Sequence, residues 1–325
     1  MSINYFKLED KNILITGASG LIGSYLCEKL SIKNNVIVCE RDMLPVSRLT
    51  LERLYQKLIV TRGDLKDIDY LKRILFDYDI DIVFHLAAQT QVVNALNNPR
   101  ETFLTNVVGT LNLLEAARYY NRYVRLIIAS SDKAYGELEK LPYEETMDPK
   151  PIYPYDVSKR CTELISLSYH HTYGLPICIT RLSNVYGGGD FNFQRLIPYV
   201  IRSIIKGDTI KLRSDGSPLR EYLYVEDAAN AYITIAEKFK KANGNIYNVG
   251  SNEVFSVLEV IKIISEMMGY KKQPLLGKKN NKEIEKQYLS SKKIESELNW
   301  KAEYKFSEGI KKTIDWYLHY KDFLF

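Results

Sequence analysis

The sequence predicts an α/β fold built on a doubly wound parallel sheet. Short apolar runs of strand length alternate with longer segments in which apolar residues recur at helical spacing, a pattern typical of parallel sheets with helices on both faces. The first apolar run passes directly into a glycine-rich turn and then into a helix. Polar residues follow later runs, which places them at the carboxyl edge, where open α/β sheets bind ligands.

Length and composition indicate a globular chain of one large or two smaller domains, with 325 residues of which 46% are hydrophobic. The formal charge of +5 is spread over 45 basic and 40 acidic residues, without the dense basic stripe that nucleic-acid binding requires. The four cysteines are far apart, which predicts free thiols and neither a disulfide framework nor a metal site.

No apolar run approaches the roughly 20 residues that span a bilayer. The start, MSINYFKLEDK, lacks the basic and apolar regions of an export signal. We therefore expect a cytoplasmic protein that binds neither a membrane nor nucleic acid. A mild positive excess is compatible with a small anionic substrate.

The first predicted strand, at 11–16, leads into the turn 17–23 and a helix. Glycines there permit a tight turn and close approach of a ligand, and the free N–H groups at the helix start receive a pyrophosphate. The spacing Gly-x-x-Gly-x-x-Gly is one residue longer at its first gap than the commonest dinucleotide fingerprint. We expect the dinucleotide to be held by Gly17, Ser19, Gly20, Leu21, Ile22 and Gly23.

The second predicted strand, at 35–39, ends at Glu40. This is the distance at which an acidic residue accepts hydrogen bonds from the adenosine ribose of NAD. Glu40 would repel the 2′-phosphate of NADP, whereas the neighbouring Arg41 would accommodate it. NAD is therefore the favoured cofactor, and NADP stays an alternative.

A third predicted strand, at 58–61, is followed by Asp64 and Leu65, which we expect to meet the adenine. Asp64 is also placed to cap the helix predicted at 68–76. Both interpretations of Asp64 stay open at this point.

The fourth predicted strand, at 81–85, ends at His85, which we expect to be a packed core residue and not a base. The small residues after it would let the cofactor pass close to the backbone at Leu86, Ala87, Ala88 and Gln89. A long amphipathic segment follows at 102–120.

A fifth predicted strand, at 124–128, brings four polar residues to the carboxyl edge: Ser130, Ser131, Asp132 and Lys133. Downstream, Tyr155 and Lys159 are four residues apart in a segment of helical periodicity, so they share one helix face. A lysine ammonium near a phenol lowers the phenol's pKa, which would make Tyr155 a usable base. An exposed helix face would show the same spacing.

The second half of the chain is less regular. We predict a sixth strand at 176–181, a loop at 187–190, a helix at 193–205, a short strand at 210–212, a helix at 226–238 and a strand at 246–249. The last helix and strand should return to the main sheet, so the first domain is discontinuous.

Six ordered motifs carry a family resemblance: TGASGLIG at 16–23, HLAA at 85–88, NVVGT at 106–110, SSDKAYG at 130–136, YDVSK at 155–159 and RLSNVYG at 181–187. With them the chain resembles the extended short-chain dehydrogenase/reductase superfamily, specifically its nucleotide-sugar epimerases and dehydratases. The resemblance implies a Rossmann sheet that binds NAD and a smaller mixed α/β domain that closes over the nucleotide sugar. It assigns 1–183 with 222–250 to the first domain and 184–221 with 251–325 to the second.

The resemblance also implies contacts to the nucleoside-diphosphate sugar, from Gln89, Asn184, Arg195, Leu196, Arg213 and Arg220. Arginine suits this role because its planar fork binds phosphate oxygens bidentately. A homodimer would form through Leu111, Leu114 and the helix that carries Tyr155, although core packing explains the same apolar positions.

Members of this group begin by oxidising a sugar hydroxyl, a step that the resemblance assigns to Tyr155, Lys159 and Ser131. Epimerases carry small, inert residues after the serine, whereas dehydratases carry an acid and then a base. Asp132 and Lys133 match this dehydratase pattern, although many family dehydratases have Glu at the position of Lys133. The Asp-Lys form resembles CDP-glucose 4,6-dehydratases and some UDP-N-acetylglucosamine 4,6-dehydratases, which leaves the nucleotide and the sugar open. We expect a nucleotide-sugar 4,6-dehydratase. A 4-epimerase, in which the pair is a solvated turn, and a non-catalytic nucleotide-binding regulator are the alternatives.

Overall fold

The computed structural model describes residues 7–120, 122–278 and 284–325. The first six residues of the start used above, residue 121, and residues 279–283 of the predicted second domain lie outside the described part. The strands in it are β1 Asn12–Thr16, β2 Asn35–Glu40, β3 Ile59–Arg62, β4 Ile82–His85, β5 Arg125–Ser131, β6 Ile177–Leu182, β7 Asn184–Tyr186, β8 Leu219–Tyr224, β9 Ile246–Val249, β10 Val254–Ser256 and β11 Lys286–Gln287.

The α-helices are α1 Leu21–Leu30, α2 Arg48–Leu51, α3 Ile68–Asp77, α4 Val92–Asn97, α5 Pro99–Phe103, α6 Gly109–Tyr120, α7 Pro154–Tyr173, α8 Leu196–Ile205, α9 Val225–Glu237, α10 Phe239–Ala242, α11 Val257–Met267, α12 Lys292–Leu298, α13 Phe306–His319 and α14 Lys321–Leu324. Single 3₁₀ turns lie at Leu54–Lys57 and Asp132–Tyr135, and a π turn lies at Leu104–Val108.

Seven strands form one parallel sheet in the order β3-β2-β1-β4-β5-β6-β9. Successive residues of β1 face opposite layers. Ile13 and Ile15 belong to the core that includes α1 and α9, whereas Leu14 belongs to the core that includes α3 and α6. The predicted doubly wound sheet is confirmed. Its strand order reverses between β1 and β4, which is where such sheets bind ligands.

A smaller second sheet is built around β8. β10 pairs antiparallel with residues 219–221, β11 pairs parallel with 219–220, and β7 pairs parallel with 222–224. Helices α11 and α13 pack beside it, and α8 packs against both of these helices. The smaller mixed α/β part of the predicted fold is therefore present. The predicted boundary at 221/222 falls inside β8, and the division into two domains stays a prediction.

Three predicted elements differ in the structure. The strand predicted at 210–212 is wrong, because Lys211 forms only a single bridge, to Leu275. The helix predicted at 193–205 begins at Leu196. The segment predicted at 102–120 is divided, since the π turn separates α5 from α6.

The apolar positions proposed for a dimer seam divide into two kinds. Leu114 is fully buried in the core, so core packing explains it. Leu111 on α6 is 37% exposed and Leu164 on α7 is 50% exposed, and the pairing of two copies stays a prediction. Across residues 7–120, 122–278 and 284–325, no helix combines the length and apolar character needed to cross a bilayer.

Candidate active site

The turn after β1 forms a cradle that requires glycine. Gly17 has a φ of 73°, and a Cβ on it would lie 2.7 Å from the Ala87 nitrogen. A side chain on Gly23 would collide with the Gly17 carbonyl. Helix α1 starts at Leu21, so the N–H groups of its first turn have no intrahelical partner. The predicted residues from Gly17 to Gly23 therefore form a tight turn and the first turn of α1, an arrangement that fits a pyrophosphate.

His85 supports this cradle from inside the sheet. Its Nδ1 is hydrogen-bonded to the Thr16 hydroxyl at 2.9 Å, and its Nε2 to the Thr110 hydroxyl at 3.0 Å. The Ala87 N–H donates to Thr16 in turn. Burial, aided by the charge of Lys159, lowers the pKa of His85 to about 3. The ring is therefore neutral, and its contacts are those of the packed core residue that the sequence predicts.

Glu40 ends β2 and is buried. Its two carboxylate oxygens accept hydrogen bonds from the Tyr55 hydroxyl, each at 2.8 Å, and burial raises its pKa. Arg41 is exposed and its Nε donates to Asp42 at 2.6 Å. Glu40 is thus fixed at the end of β2. Arg41, which would favour NADP, is paired with the Asp42 carboxylate.

Asp64 follows β3, and its interpretation as the cap of α3 is wrong. That cap is Asp67, whose Oδ1 accepts from the N–H groups of Asp69 and Tyr70. Asp64 instead accepts from the Lys66 N–H at 2.9 Å in a local turn. Leu65 is buried next to it, and the adenine contacts of both residues stay a prediction.

Gln89 joins the loop after β4 to the helix that carries Tyr155. Its N–H donates to Asn106 Oδ1 at 2.7 Å, and Asn106 Nδ2 donates to the Ser158 hydroxyl at 2.9 Å. Leu86, Ala87 and Ala88 precede it as predicted, and all are partly buried. Within the described residues the buried Oε1 of Gln89 has no hydrogen-bond partner. Such an acceptor suits a donor from a bound ligand.

Tyr155 and Lys159 lie one turn apart near the start of α7, and both are buried. Lys159 Nζ donates to the Ala129 carbonyl at 2.9 Å, and burial lowers its pKa to about 8. Burial also raises the pKa of Tyr155, as do Asp132 and Asp156, while Ser131 and Arg195 lower it. The expected lowering of the phenol pKa by Lys159 is therefore wrong for this state, because desolvation dominates.

The end of β5 presents Ser131, Asp132 and Lys133 together. The Ser131 hydroxyl donates to Asp132 Oδ1 at 2.9 Å and accepts from the Lys133 N–H at 3.2 Å. Asp132 is buried, and its Oδ2 has no partner among the described residues. Lys133 Nζ donates to Gln287 Oε1, and Gln287 Nε2 donates to the Asp132 carbonyl at 3.1 Å. The interpretation of Asp132 and Lys133 as a solvated turn does not fit this burial.

Residues that were not predicted as site residues also lie around Ser131, Asp132 and Tyr155. Burial raises the pKa of Asp156 to about 6, with Asp132 adding to the effect and Lys133 opposing it. Beneath the turn, Glu163 accepts from the Ser130 hydroxyl and from two guanidinium nitrogens of Arg181, each at 2.7 Å. Asp156 could have been predicted, because it is adjacent to Tyr155 in the sequence. Nothing in the sequence pointed to Glu163 beyond its position on the helix.

The predicted substrate residues are distributed around the second sheet. Asn184 donates to the Glu221 carbonyl at 3.1 Å from β7, and Arg220 donates to the Leu219 carbonyl at 2.8 Å from β8. Arg195 pairs with Asp190 at 2.8 Å, immediately before Leu196 begins α8, and its charge acts on Tyr155. Arg213 is exposed in the loop before β8. No metal-binding group of His, Cys, Asp and Glu occurs in the described part of the chain.

Comparison with known proteins assigns the family. A family model described as GDP-mannose 4,6 dehydratase matches residues 14–313. A dTDP-glucose 4,6-dehydratase from Xanthomonas campestris is 32% identical, over 94% of this chain and 92% of the relative. A putative UDP-glucose 4-epimerase from Methanocaldococcus jannaschii is 34% identical, over 94% and 97%. The chain spans only 47% of a trifunctional UDP-glucose 4,6-dehydratase, epimerase and reductase from Arabidopsis thaliana that is 32% identical over 94% of this chain.

Solved structures give the same result. A UDP-glucose 4-epimerase from Thermotoga maritima with UDP-glucose has a TM-score of 0.88 at 30% identity, covering 95% of this chain and 99% of that one. A dTDP-glucose 4,6-dehydratase from Streptomyces venezuelae with NAD bound has a TM-score of 0.88 at 27% identity, covering 96% and 98%. These matches extend along almost the whole chain. It therefore belongs to the GDP-mannose 4,6 dehydratase family, and the relatives that it matches include nucleotide-sugar dehydratases and epimerases.

Proposed function

We propose that this protein is an NAD-dependent nucleotide-sugar 4,6-dehydratase, which converts a nucleoside-diphosphate hexose into its 4-keto-6-deoxy form. The observation that carries the proposal is the acid and amine pair Asp132 and Lys133, held directly after Ser131. The acid is buried with one carboxylate oxygen left over, and both side chains act electrostatically on Asp156, the residue next to Tyr155. An epimerase has no use for such a pair.

The chain offers NAD a fitting site. The glycine cradle suits the pyrophosphate, Glu40 suits the adenosine ribose, and the buried Oε1 of Gln89 suits a donor group. The related dehydratase from Streptomyces venezuelae binds NAD. When bound, NAD would accept a hydride from C4 of the sugar and return it to C6, so that none is consumed.

Tyr155, as the phenolate, takes the proton of the C4 hydroxyl in the first step. Burial opposes loss of the phenol proton, and the Ser131 hydroxyl and the charge of Arg195 favour it. Lys159 lies one helical turn after Tyr155 on α7, and its Nζ is held by the Ala129 carbonyl. This arrangement orients the base and limits access of water to it.

Lys133 and Asp132 carry out the elimination. A ketone at C4 acidifies the C5 proton, so the amine of Lys133 removes it while Asp132 gives a proton to the departing C6 oxygen. The C5–H and C6–O bonds break, a C5–C6 double bond forms, and water leaves. Lys133 then returns the proton to C5 as C6 is reduced, and the proton that Tyr155 took from the C4 hydroxyl replaces the one that Asp132 gave. Base catalysis of this kind contributes typically 10²- to 10⁴-fold.

The substrate enters between the sheets in this proposal. Arg220 and Asn184 on neighbouring strands suit the diphosphate, and Arg195 and Arg213 are further cations for it. Leu196 and Gln89 would border the sugar. The exposed Leu111 and Leu164 suit a homodimer interface, which a measured solution mass of one chain would contradict.

The second candidate function is 4-epimerisation, favoured by the 34% identity to the putative UDP-glucose 4-epimerase. Both are tested by incubating the protein and NAD with dTDP-, UDP-, CDP- and GDP-linked hexoses and analysing the products by mass spectrometry and by proton NMR, which distinguishes C4 epimers of equal mass. A product lighter by one water supports the dehydratase. An isomer of unchanged mass supports the epimerase, and binding without conversion supports a regulator.

A further inference from the structure

Gln287 reaches the candidate active site from the second sheet. It lies on β11, a strand of only two residues, and its side chain is 0% exposed. Its Nε2 donates to the Asp132 carbonyl at 3.1 Å, and its Oε1 accepts from Lys133 Nζ. One amide therefore contacts both members of the acid and amine pair, by the backbone of Asp132 and the side chain of Lys133.

The orientation of this amide is determined by its two partners. A carbonyl oxygen only accepts hydrogen bonds and an ammonium only donates them. Rotating the amide of Gln287 by half a turn would place NH₂ against Lys133 and oxygen against the Asp132 carbonyl. Both contacts would be repulsive, so the observed orientation is the stable one.

The backbone around Gln287 is anchored on both sides. In β8, Arg220 is its register partner. The next residues are held by the Tyr143 N–H, which donates to the Tyr288 carbonyl at 2.9 Å, and by Glu221, which accepts from the Leu289 N–H at 3.0 Å. The Gln287 side chain thus extends from β11, which is held in place. β11 pairs with β8, the strand that carries Arg220, the candidate residue for binding the diphosphate.

We infer that Gln287 is a positioning residue for the elimination: it orients the amine of Lys133 toward C5 and, as an uncharged acceptor, allows that amine to change between its protonated and neutral forms. The inference rests on the proposed dehydratase function. A carboxylate at the same position would hold the ammonium form instead, because an opposite charge in contact favours the charged state.

The charges around Lys133 come from three elements. Asp132 shares its turn, Asp156 lies at the start of α7, and Arg220 and Glu221 lie on β8 beside β11. Asp132 acts electrostatically on both Asp156 and Glu221. A pH profile therefore reflects several groups, and only a displacement caused by the charge at position 287 tests the inference.

Two variants and one control form the test. Gln287→Glu keeps the shape and adds a charge, Gln287→Met removes both hydrogen bonds without a charge, and Gln273→Glu adds the same charge at an exposed position of the second half. Thermal unfolding first establishes which variants fold. The rate of water elimination is then measured against pH, together with solvent deuterium at C5 of the product.

In Gln287→Glu we expect the rise of the rate with pH to move upward by about one to three units, with Gln273→Glu unchanged. In Gln287→Met we expect elimination to slow about 100-fold, with KM little changed, since a misplaced catalytic group costs about that much.

If the wild type removes no water, the proposed function fails. If the wild type removes water while Gln287→Glu keeps the wild-type profile, or Gln287→Met keeps the wild-type rate, the inference alone is refuted. Gln287→Met decides if Gln287→Glu does not fold.

Discussion

Replacing Lys133 by methionine isolates the elimination from the oxidation that precedes it. The variant keeps the apolar stem of the side chain and removes the amine, while Tyr155, Lys159 and Ser131 stay in place. Loss of a general base costs 10²- to 10⁴-fold, or about 2.7 to 5.5 kcal/mol of barrier at 1.36 kcal/mol per tenfold. The buried Oε1 of Gln287 also loses its donor, which lowers the free energy of unfolding by about 1 to 3 kcal/mol.

The assay distinguishes oxidation at C4 from the elimination of water. With a substrate that the wild type dehydrates, the Lys133→Met variant should show reduced nicotinamide absorbance that persists, because C4 is oxidised and elimination stalls. Wild-type enzyme in deuterated water should place deuterium at C5 of its product, and the variant should not. Lys150→Met, which changes an exposed lysine, is the control. Normal turnover of Lys133→Met, or a wild-type product without deuterium at C5, would refute the assignment of the base.

Four further predictions concern the rest of the chain. Tyr155→Phe should lower turnover by about 10²- to 10⁴-fold and leave NAD binding, measured by calorimetry, unchanged. Glu40→Gln should reduce the preference for NAD over NADP at least about tenfold in binding assays, since it removes the charge that repels a 2′-phosphate. His85 should stay neutral down to about pH 4 in ring-nitrogen NMR spectra, and stability should fall between about pH 6.5 and 3, because there the unfolded state binds a proton that the folded state does not. Arg181→Met should cost about 3 to 5 kcal/mol in urea unfolding, because the buried Glu163 carboxylate loses its buried, two-contact cation. Arg160 contacts the same carboxylate from a 23% exposed position, so Arg160→Met should cost about 1 kcal/mol or less.

The sheet was predictable because its strands carry local signals. β1, β4 and β5 are buried on both faces, so their sequences are continuous apolar runs that periodicity detects. The strand predicted at 210–212 failed because a short apolar run carries no information about its partner. Among the described residues Lys211 forms one isolated β-bridge, to Leu275, and no strand ladder forms there.

Site residues that directly follow a strand were predictable from the sequence. Contacts between residues that are far apart in the sequence were not. Ser131, Asp132 and Lys133 follow β5, so their placement at the carboxyl edge needed only the strand. Gln287 lies 154 positions from Lys133, on a strand of two residues, and no local pattern identifies it. Spacing placed Tyr155 beside Lys159 correctly. It could not show that burial raises the phenol's pKa, because burial depends on the surrounding packing.

The two chemistries of this family make opposite demands on how the sugar is held. Epimerisation at C4 requires the hydride to leave one face of the carbon and return to the other, so the ketone must turn over inside the site. Elimination requires C5 and C6 to stay beside one base and one acid. In this protein the proposed base and the proposed acid lie on a single turn, and Gln287 connects that turn to β11, which pairs with Arg220 on β8. If Lys133, Asp132 and Arg220 have the proposed roles, their connection favours one fixed orientation of the sugar, which is the condition for losing water and an obstacle to inverting C4.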